Sequence, residues 1–107
     1  MYKLVLLPLA GQDLQEIVDY IEKELQSPRS ALKFIRLFRK KVKLALLYPY
    51  AFPVRVLPSV AEQEYRILSL KNYLLFYIIR EKSKTIEIYR IIYAKRDLSK
   101  IATVKNK

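Results

Sequence analysis

The hydrophobic pattern of this chain changes period once, and that change restricts the folds available to it. From Gln12 to Leu47, apolar residues recur every three or four positions, as on one face of an α-helix. From Glu64 to Tyr93, the chain is instead dense in Ile, Tyr and Leu, a composition typical of β-strands. Pro49, Pro53 and Pro58 lie between the two regions and forbid a continuous helix there. The order predicts helices first and most of a sheet afterwards.

The helical region divides into a hairpin at Ser27-Pro28. A serine can cap free N–H groups and a proline suits the first helical position, so a second helix is predicted from there to about Leu47. The first helix is predicted over Gln12–Leu25, with the only glycine, Gly11, in a turn before it. The apolar run Tyr2–Leu7 predicts a short, buried strand ahead of both helices.

The second region predicts three strands, at Glu64–Leu70, Tyr73–Arg80 and Thr85–Tyr93. The last two are joined by a short polar link that suits a hairpin, and Val54–Leu57 can pair at a sheet edge. We therefore expect an α+β fold, in which an N-terminal strand and a helical hairpin pack on a twisted, mostly antiparallel sheet. A length of 107 residues suits one such domain.

Composition excludes several classes of site. The chain has neither cysteine nor histidine, so Ser-His-Asp and Cys-His catalysis are excluded, and neither a metal site nor a cofactor is expected. Proton transfer near pH 7 would require a lysine, a tyrosine or a carboxylate with a shifted pKa. The apolar start is too short for a signal sequence, and no run reaches the roughly 20 residues that span a bilayer. We expect a cytoplasmic protein without a membrane partner.

The two predicted helices carry opposite charge. Gln12–Leu25 has a net charge of −4, so the remainder of a chain with net charge +11 carries +15. Basic residues follow one face of the second helix at spacings of 4, 3, 4 and 3, and these candidate partner-binding residues are Arg29, Lys33, Arg36, Lys40 and Lys43. Such a stripe is either a solvated face, partly neutralised by the acidic helix, or a surface that binds phosphate or an acidic partner.

Two arginines fall within the predicted sheet. Alternation places Arg66 beside Leu68 and Leu70, and Arg90 beside Ile88 and Ile92. These arginines either extend their guanidinium groups to solvent at the rim of the sheet or form a phosphate clamp. On the opposite face, alternation predicts three tyrosines, Tyr65, Tyr89 and Tyr93. The tyrosines of the sheet either stack on bases or pack as ordinary strand residues.

Particular segments, in this order, resemble one known family. They are Ala10-Gly11-Gln12-Asp13-Leu14, Ile17-Val18-Asp19-Tyr20-Ile21, Ser27-Pro28-Arg29-Ser30-Ala31, Leu47-Tyr48-Pro49, Tyr65-Arg66-Ile67-Leu68, Lys71-Asn72-Tyr73, Phe76-Tyr77 and the run Ile88 to Asp97. The chain resembles the RelE/ParE superfamily of toxins from bacterial type II toxin–antitoxin modules. The resemblance implies one toxin domain over residues 1–98, followed by a basic tail, 99–107, that we expect to be mobile.

The resemblance implies a growth-arresting toxin that is held inactive by a cognate antitoxin. RelE-like members cleave mRNA on the ribosome without a metal, and ParE-like members inhibit DNA gyrase. The Ser27-Pro28 region is ParE-like, whereas Arg66 and Arg90 match positions that the nucleases use on the scissile phosphate. The catalytic candidates on that basis are Arg66, Arg90, Tyr93 and Lys95, with Arg96 as a binding residue. We favour the ribosome-dependent nuclease; the alternatives are a gyrase inhibitor and an inactive basic binding module.

Overall fold

The computed structural model describes residues 1–56 and 64–95, which form an α+β unit. In chain order, the elements are β1 (Lys3–Leu6), α1 (Pro8–Asp19), a π-helical turn (Tyr20–Glu24), α2 (Pro28–Leu47), a 3₁₀ turn (Pro49–Ala51), β2 (Val54–Val56), β3 (Glu64–Leu70), β4 (Tyr73–Arg80) and β5 (Thr85–Tyr93). The bounds of α2, β3, β4 and β5 agree with the predicted ones, and β2 occupies the predicted edge position.

The strands form one sheet in the order β1-β5-β4-β3-β2. The strands β2 to β5 pair antiparallel with their neighbours, whereas β1 pairs parallel with β5, in a register that runs from Lys3 opposite Thr85 to Leu6 opposite Ile88. The prediction of a mostly antiparallel sheet is therefore confirmed. Because β1 ends at Leu6, the last part of β5 has no strand beside it on that edge.

Both helices pack on one face of the sheet and bury a cluster that we call the helix-side cluster. Its buried members are Ala10, Ile17, Phe34, Phe38, Val42, Ala45, Leu68, Leu70, Leu75, Tyr77, Ile86, Ile88 and Ile91. The helix α2 contributes side chains at three- and four-residue spacing, as the sequence pattern predicts. A second buried group, the reverse-side cluster, lies on the other face and comprises Tyr65, Phe76, Ile78, Tyr89 and Ile92.

A bulge between β4 and β5 changes which residues of β5 face the helices. The pairing shifts between Phe76 and Tyr77, so that Phe76 lies opposite Arg90 and Tyr77 lies opposite Ile88. As a result, Ile88 belongs to the helix-side cluster and Ile92 to the reverse-side cluster. The predicted grouping of Arg90 with both isoleucines was wrong, because a single extra residue reverses the alternation.

Two predictions for the N-terminal part were also wrong. Helix α1 starts at Pro8, and Gly11 is a helical residue rather than part of a turn. The strand β1 is exposed along its whole length, because it is an edge strand and not a buried one. The cap of α2 was predicted correctly, since the Ser27 Oγ accepts a hydrogen bond from the Ser30 N–H at 3.2 Å. Neither α-helix in the described residues is long and apolar enough to cross a membrane.

One buried tyrosine joins the sheet to the chain that leaves α2. Tyr77 is fully buried, and its hydroxyl donates a hydrogen bond to the Pro49 carbonyl oxygen at 2.5 Å. Burial raises the pKa of Tyr77 to about 12, so the hydroxyl stays protonated at neutral pH.

We expect Tyr77→Phe to lower the free energy of unfolding by about 1–2 kcal/mol, because the Pro49 carbonyl would lose its donor in a buried site. Denaturant unfolding of the purified protein measures this change. The control is Tyr48→Phe, at a ring that is 62% exposed. We expect this control to stay within about 0.5 kcal/mol of the parent protein. Equal effects of the two substitutions would contradict the role given to the Tyr77 hydroxyl.

Candidate functional site

Arg90 is held by a carboxylate of α1. Its Nε and Nη2 atoms donate hydrogen bonds to the two Asp13 oxygens at 2.7 and 3.0 Å, and only 16% and 12% of the two side chains are exposed. These hydrogen bonds raise the pKa of Arg90. The paired fork geometry is the strongest arrangement that arginine makes with a carboxylate, so this guanidinium is already occupied.

The same carboxylate also closes the free edge of β5. The Asp13 Oδ2 atom accepts a hydrogen bond from the Ile91 N–H at 3.0 Å, beyond the point where β1 ends. An unpaired N–H at a half-buried edge costs free energy, and Asp13 takes the place of the missing neighbouring strand there. Asp13 therefore accepts hydrogen bonds both from the backbone of β5 and from the side chain of Arg90.

Arg66 is held by backbone carbonyls of the segment that follows α2. Its Nη1 donates to the Phe52 oxygen at 2.8 Å and to the Tyr50 oxygen at 3.2 Å. Its guanidinium carbon lies 4.9 Å from the centre of the Tyr50 ring, which is a cation–π contact. The described contacts of Arg66 are with carbonyls and a ring, so no carboxylate balances its positive charge there, whereas Asp13 balances that of Arg90.

The two arginines are held by different parts of the chain. Arg66 on β3 donates to carbonyls of the segment that follows α2, whereas Arg90 on β5 pairs with Asp13 of α1, and β4 lies between the two strands. A clamp on one phosphate requires two guanidinium groups that converge on the same point. The hydrogen bonds of these two groups do not direct them at a common point.

The remaining candidates lie near the end of β5. Tyr93 is 43% exposed, and its ring meets the ring of Tyr73 at 5.7 Å between centres. It lies opposite Tyr73, which packs against the helix-side cluster, so its predicted place on the other face was wrong. Lys95 is exposed, and Arg96 lies outside the described residues, as do residues 97–107. The catalytic roles of Arg66, Arg90, Tyr93 and Lys95 stay predictions.

Most tyrosines of the sheet are packing residues. Tyr77 and Tyr89 are buried, and the rings of Tyr65 and Tyr89 lie 4.7 Å apart within the reverse-side cluster. Burial raises the pKa of both Tyr65 and Tyr89. A ring that stacks on a base must be accessible, so these tyrosines fit the packing alternative and not base stacking.

A groove of about 800 Å³ separates the end of α1 from the open edge of β5. Its lining carries carboxylates of α1, cations and aromatic rings. The lining includes Asp13, Glu16, Lys71, Arg90, Tyr73 and Tyr93. The groove thus combines apolar surface with charges of both signs and with the backbone of an edge strand, which are features of peptide-binding sites.

The basic face of α2 is solvated and not neutralised by α1. Its five residues, Arg29, Lys33, Arg36, Lys40 and Lys43, are all exposed. Among the described residues, the ion pairs join Arg80 to Glu87, Lys84 to Glu81 and Arg90 to Asp13, and none includes this face. The predicted neutralisation across the hairpin was therefore wrong, and the positive charge of α2 remains available to a partner.

A cluster that the sequence analysis missed surrounds Glu81 in the β4–β5 turn. Tyr50 donates to Glu81 Oε1 at 2.5 Å, Tyr2 donates to the same oxygen at 2.8 Å, and Lys84 forms an ion pair with the carboxylate. The contacts with Lys84, Tyr50 and Tyr2 lower the pKa of Glu81 to about 2. These residues are far apart in sequence, so only the polar character of the turn was foreseeable.

No group of three or more acidic residues with the geometry of a metal site occurs in residues 1–56 and 64–95. The candidate functional surfaces are the Asp13–Arg90 pair, the carbonyl-bound Arg66, the groove between α1 and β5, and the basic face of α2.

The element order and the sheet topology are those that the resemblance to small toxins of the type II toxin–antitoxin class implies. The sequence model described as "ParE toxin of type II toxin-antitoxin system, parDE" matches residues 4–98. The chain belongs to this ParE toxin family. Among curated proteins, the sequence comparison finds no match.

Solved structures agree with this assignment. The chain is similar to a protein of the chromosomal ParDE system from P. aeruginosa, with a TM-score of 0.69, 26% identity, and coverage of 89% of this chain and 98% of that one. It is also similar to a metal-bound toxin from Helicobacter pylori, with a TM-score of 0.63, 18% identity, and coverage of 87% of this chain and 94% of that one. A third similar structure is the isolated E. coli RelE toxin, with a TM-score of 0.58, 17% identity, and coverage of 98% of this chain and 97% of that one. The last two establish a shared fold.

We expect Asp13→Asn to destabilise the protein by about 2–3 kcal/mol, because a partly buried Arg90 would lose its counter-charge. Urea unfolding measures the change. The control is Glu16→Gln, an exposed residue one turn further along α1 that accepts a hydrogen bond from Gln12. We expect the control to cost less than about 0.5 kcal/mol. A loss for Asp13→Asn no larger than that of the control would contradict the assigned role.

The lowered pKa of Glu81 predicts a dependence of stability on pH. The folded pKa of Glu81, about 2, lies below its ordinary value of 4.5, so the stabilising contacts are complete above pH 4.5 and are lost as the pH falls toward 2. We expect the stability of the parent protein to fall more steeply over this interval than that of Glu81→Gln. Thermal unfolding at a series of pH values tests this, and parallel curves for the two proteins would contradict it.

Proposed function

We propose that this ParE-family toxin arrests growth by binding DNA gyrase and not by cleaving mRNA. The single observation that carries the proposal is the Asp13–Arg90 pair, which occupies the guanidinium that a nuclease would direct at the scissile phosphate. The similarity to the P. aeruginosa ParDE protein supports the same conclusion. The proposal replaces the nuclease that the sequence favoured.

The chemistry of RNA cleavage explains why this pair matters. Attack of a ribose 2′-oxygen on the adjacent phosphate builds negative charge, which a nuclease stabilises with cations already directed at it. To serve in this way, Arg90 would first have to leave Asp13 and expose a carboxylate that repels the phosphate. Arg66 already donates to the Tyr50 and Phe52 carbonyls and would likewise have to be redirected. A protein-binding mode of inhibition needs none of these changes.

We propose that a cognate antitoxin occupies the groove between α1 and β5. Asp13 occupies the Ile91 N–H, but no described strand pairs with the outer edge of β5 beyond Ile88. An extended segment can pair with the remaining backbone groups of this edge, and the aromatic lining accepts apolar side chains. The basic surface outside α1 suits an antitoxin with a net negative charge. Both partners, and the toxin itself, are proposed to act in the cytoplasm.

Two assays with the purified toxin test the proposed target. We expect micromolar or lower concentrations to inhibit supercoiling by purified gyrase, and to leave mRNA intact in a reconstituted translation reaction. Expression in cells should then induce the response to DNA damage before protein synthesis falls. Site-specific mRNA cuts in the ribosomal A-site, with normal supercoiling, would overturn the proposal.

The double variant Tyr93→Phe/Lys95→Ala separates the two mechanisms further. It removes both predicted proton-transfer groups but keeps the aromatic ring that packs on Tyr73. We expect growth arrest to stay unchanged, because gyrase binding needs no proton transfer. A nuclease that used either group would lose about a hundredfold or more of its cleavage rate. Loss of arrest in a variant that retains the parent melting temperature would therefore favour the nuclease.

A further inference from the structure

A patch of exposed apolar and aromatic side chains lies where α2 ends, away from the groove. We call it the α2 end, and it consists of four residues with the exposed fractions Leu44 38%, Leu47 42%, Tyr48 62% and Tyr50 56%. Leu44 and Leu47 follow Lys40 and Lys43 along the same side of the helix. Clustered exposed side chains of this kind mark interaction surfaces in small proteins.

Tyr50 differs from the other exposed tyrosines because it is fixed in place. Its hydroxyl donates to Glu81 at 2.5 Å, and its ring lies against the guanidinium of Arg66, whose carbon is 4.9 Å from the ring centre. Glu81 is in turn held by Tyr2 and Lys84. A large side chain that is immobilised before binding loses little conformational entropy on binding, so Tyr50 has the properties of an interface anchor.

The surroundings of the α2 end are positively charged. From Leu25 to Ala61, the sequence contains no Asp or Glu. Lys40, Lys43 and Arg55 are exposed, and in the described part of the chain none of them takes part in an ion pair. A basic rim around an aromatic and aliphatic centre is complementary to an acidic protein surface with an apolar depression.

We propose that the α2 end, anchored by Tyr50, is the surface through which the toxin binds its protein target, and that the target presents an acidic surface to it. This inference rests on the proposed function, in which the target is gyrase. Leu44 and Leu47 favour a protein over a nucleic acid, because aliphatic side chains among the cations have no partner on a phosphate backbone. The groove, which Ser30 and Phe34 line at the opposite end of α2, remains free for the antitoxin.

Supercoiling by purified gyrase in the presence of full-length toxin variants tests the inference. We expect Tyr50→Ala and Tyr48→Ser each to raise the half-inhibitory concentration at least about tenfold. Tyr50→Phe keeps the ring but loses the bond to Glu81, and we expect an intermediate rise. The control is Leu9→Ala, a residue of α1 that is 40% exposed and lies outside this surface. We expect it to change inhibition less than twofold.

Melting temperatures and growth assays make every outcome decisive. If Tyr50→Ala lowers the melting temperature, Tyr48→Ser carries the test, since Tyr48 is more exposed. Inhibition by both variants at the parent concentration would overturn the inference.

If the parent toxin arrests growth without inhibiting gyrase, the proposed function fails. Relief of growth arrest by the two variants would then support the proposed surface, and persistent arrest would overturn it. Tyrosine-dependent binding of a fluorescent single-stranded RNA, without an effect on gyrase, would assign the patch to nucleic acid and overturn a protein surface.

Discussion

The register shift between β4 and β5 determines most of what distinguishes this molecule. Without it, Arg90 would share a face with Ile88, and Tyr93 would face away from the helices. With the shift, Arg90 no longer follows the alternation of side chains that the first part of β5 sets. It lies at the sheet edge, beyond the end of β1 and close to α1. The Asp13 carboxylate can then reach both the guanidinium and the Ile91 N–H. One extra residue in a strand thus produces the ion pair on which the proposed function depends.

The contacts of Asp13 also explain why the two helices carry opposite charge. The acidic helix α1 lies beside the edge of the sheet that needs an acceptor, and it uses a carboxylate to satisfy the backbone there. The basic helix α2 has no corresponding internal task, because among the described residues none of its exposed cations forms an ion pair. Charge that is not used within the fold is available for association. The two helices therefore have different roles: α1 completes the sheet, and α2 presents charge to partners.

The sequence was sufficient for the elements and insufficient for the site. Strand composition and the Ser27-Pro28 cap predicted α2, β3, β4 and β5, because these signals act over a few residues. The change of hydrophobic period predicted the order of the elements, and the family resemblance agreed with it. The bulge, the Asp13–Arg90 pair and the Glu81 cluster were not foreseen, since each joins residues that are distant in sequence. Gly11 was misplaced because an isolated glycine is a weak helix breaker when Pro8 has already started the helix.

The division between a groove and a separate α2 end bears on how such a toxin is controlled. An antitoxin in the groove would leave Tyr50 and Leu47 uncovered, so it would inhibit the toxin by steric hindrance from a neighbouring segment or by a shift of α1 against β5. A direct competitor would instead have to reach across α2. Hydrogen bonds join the residue before β1 to the α2 end: the Tyr2 N–H donates to the Leu46 carbonyl at 3.2 Å, and the Tyr2 and Tyr50 hydroxyls both donate to Glu81. A shift of β1 would therefore act on contacts of the proposed target surface.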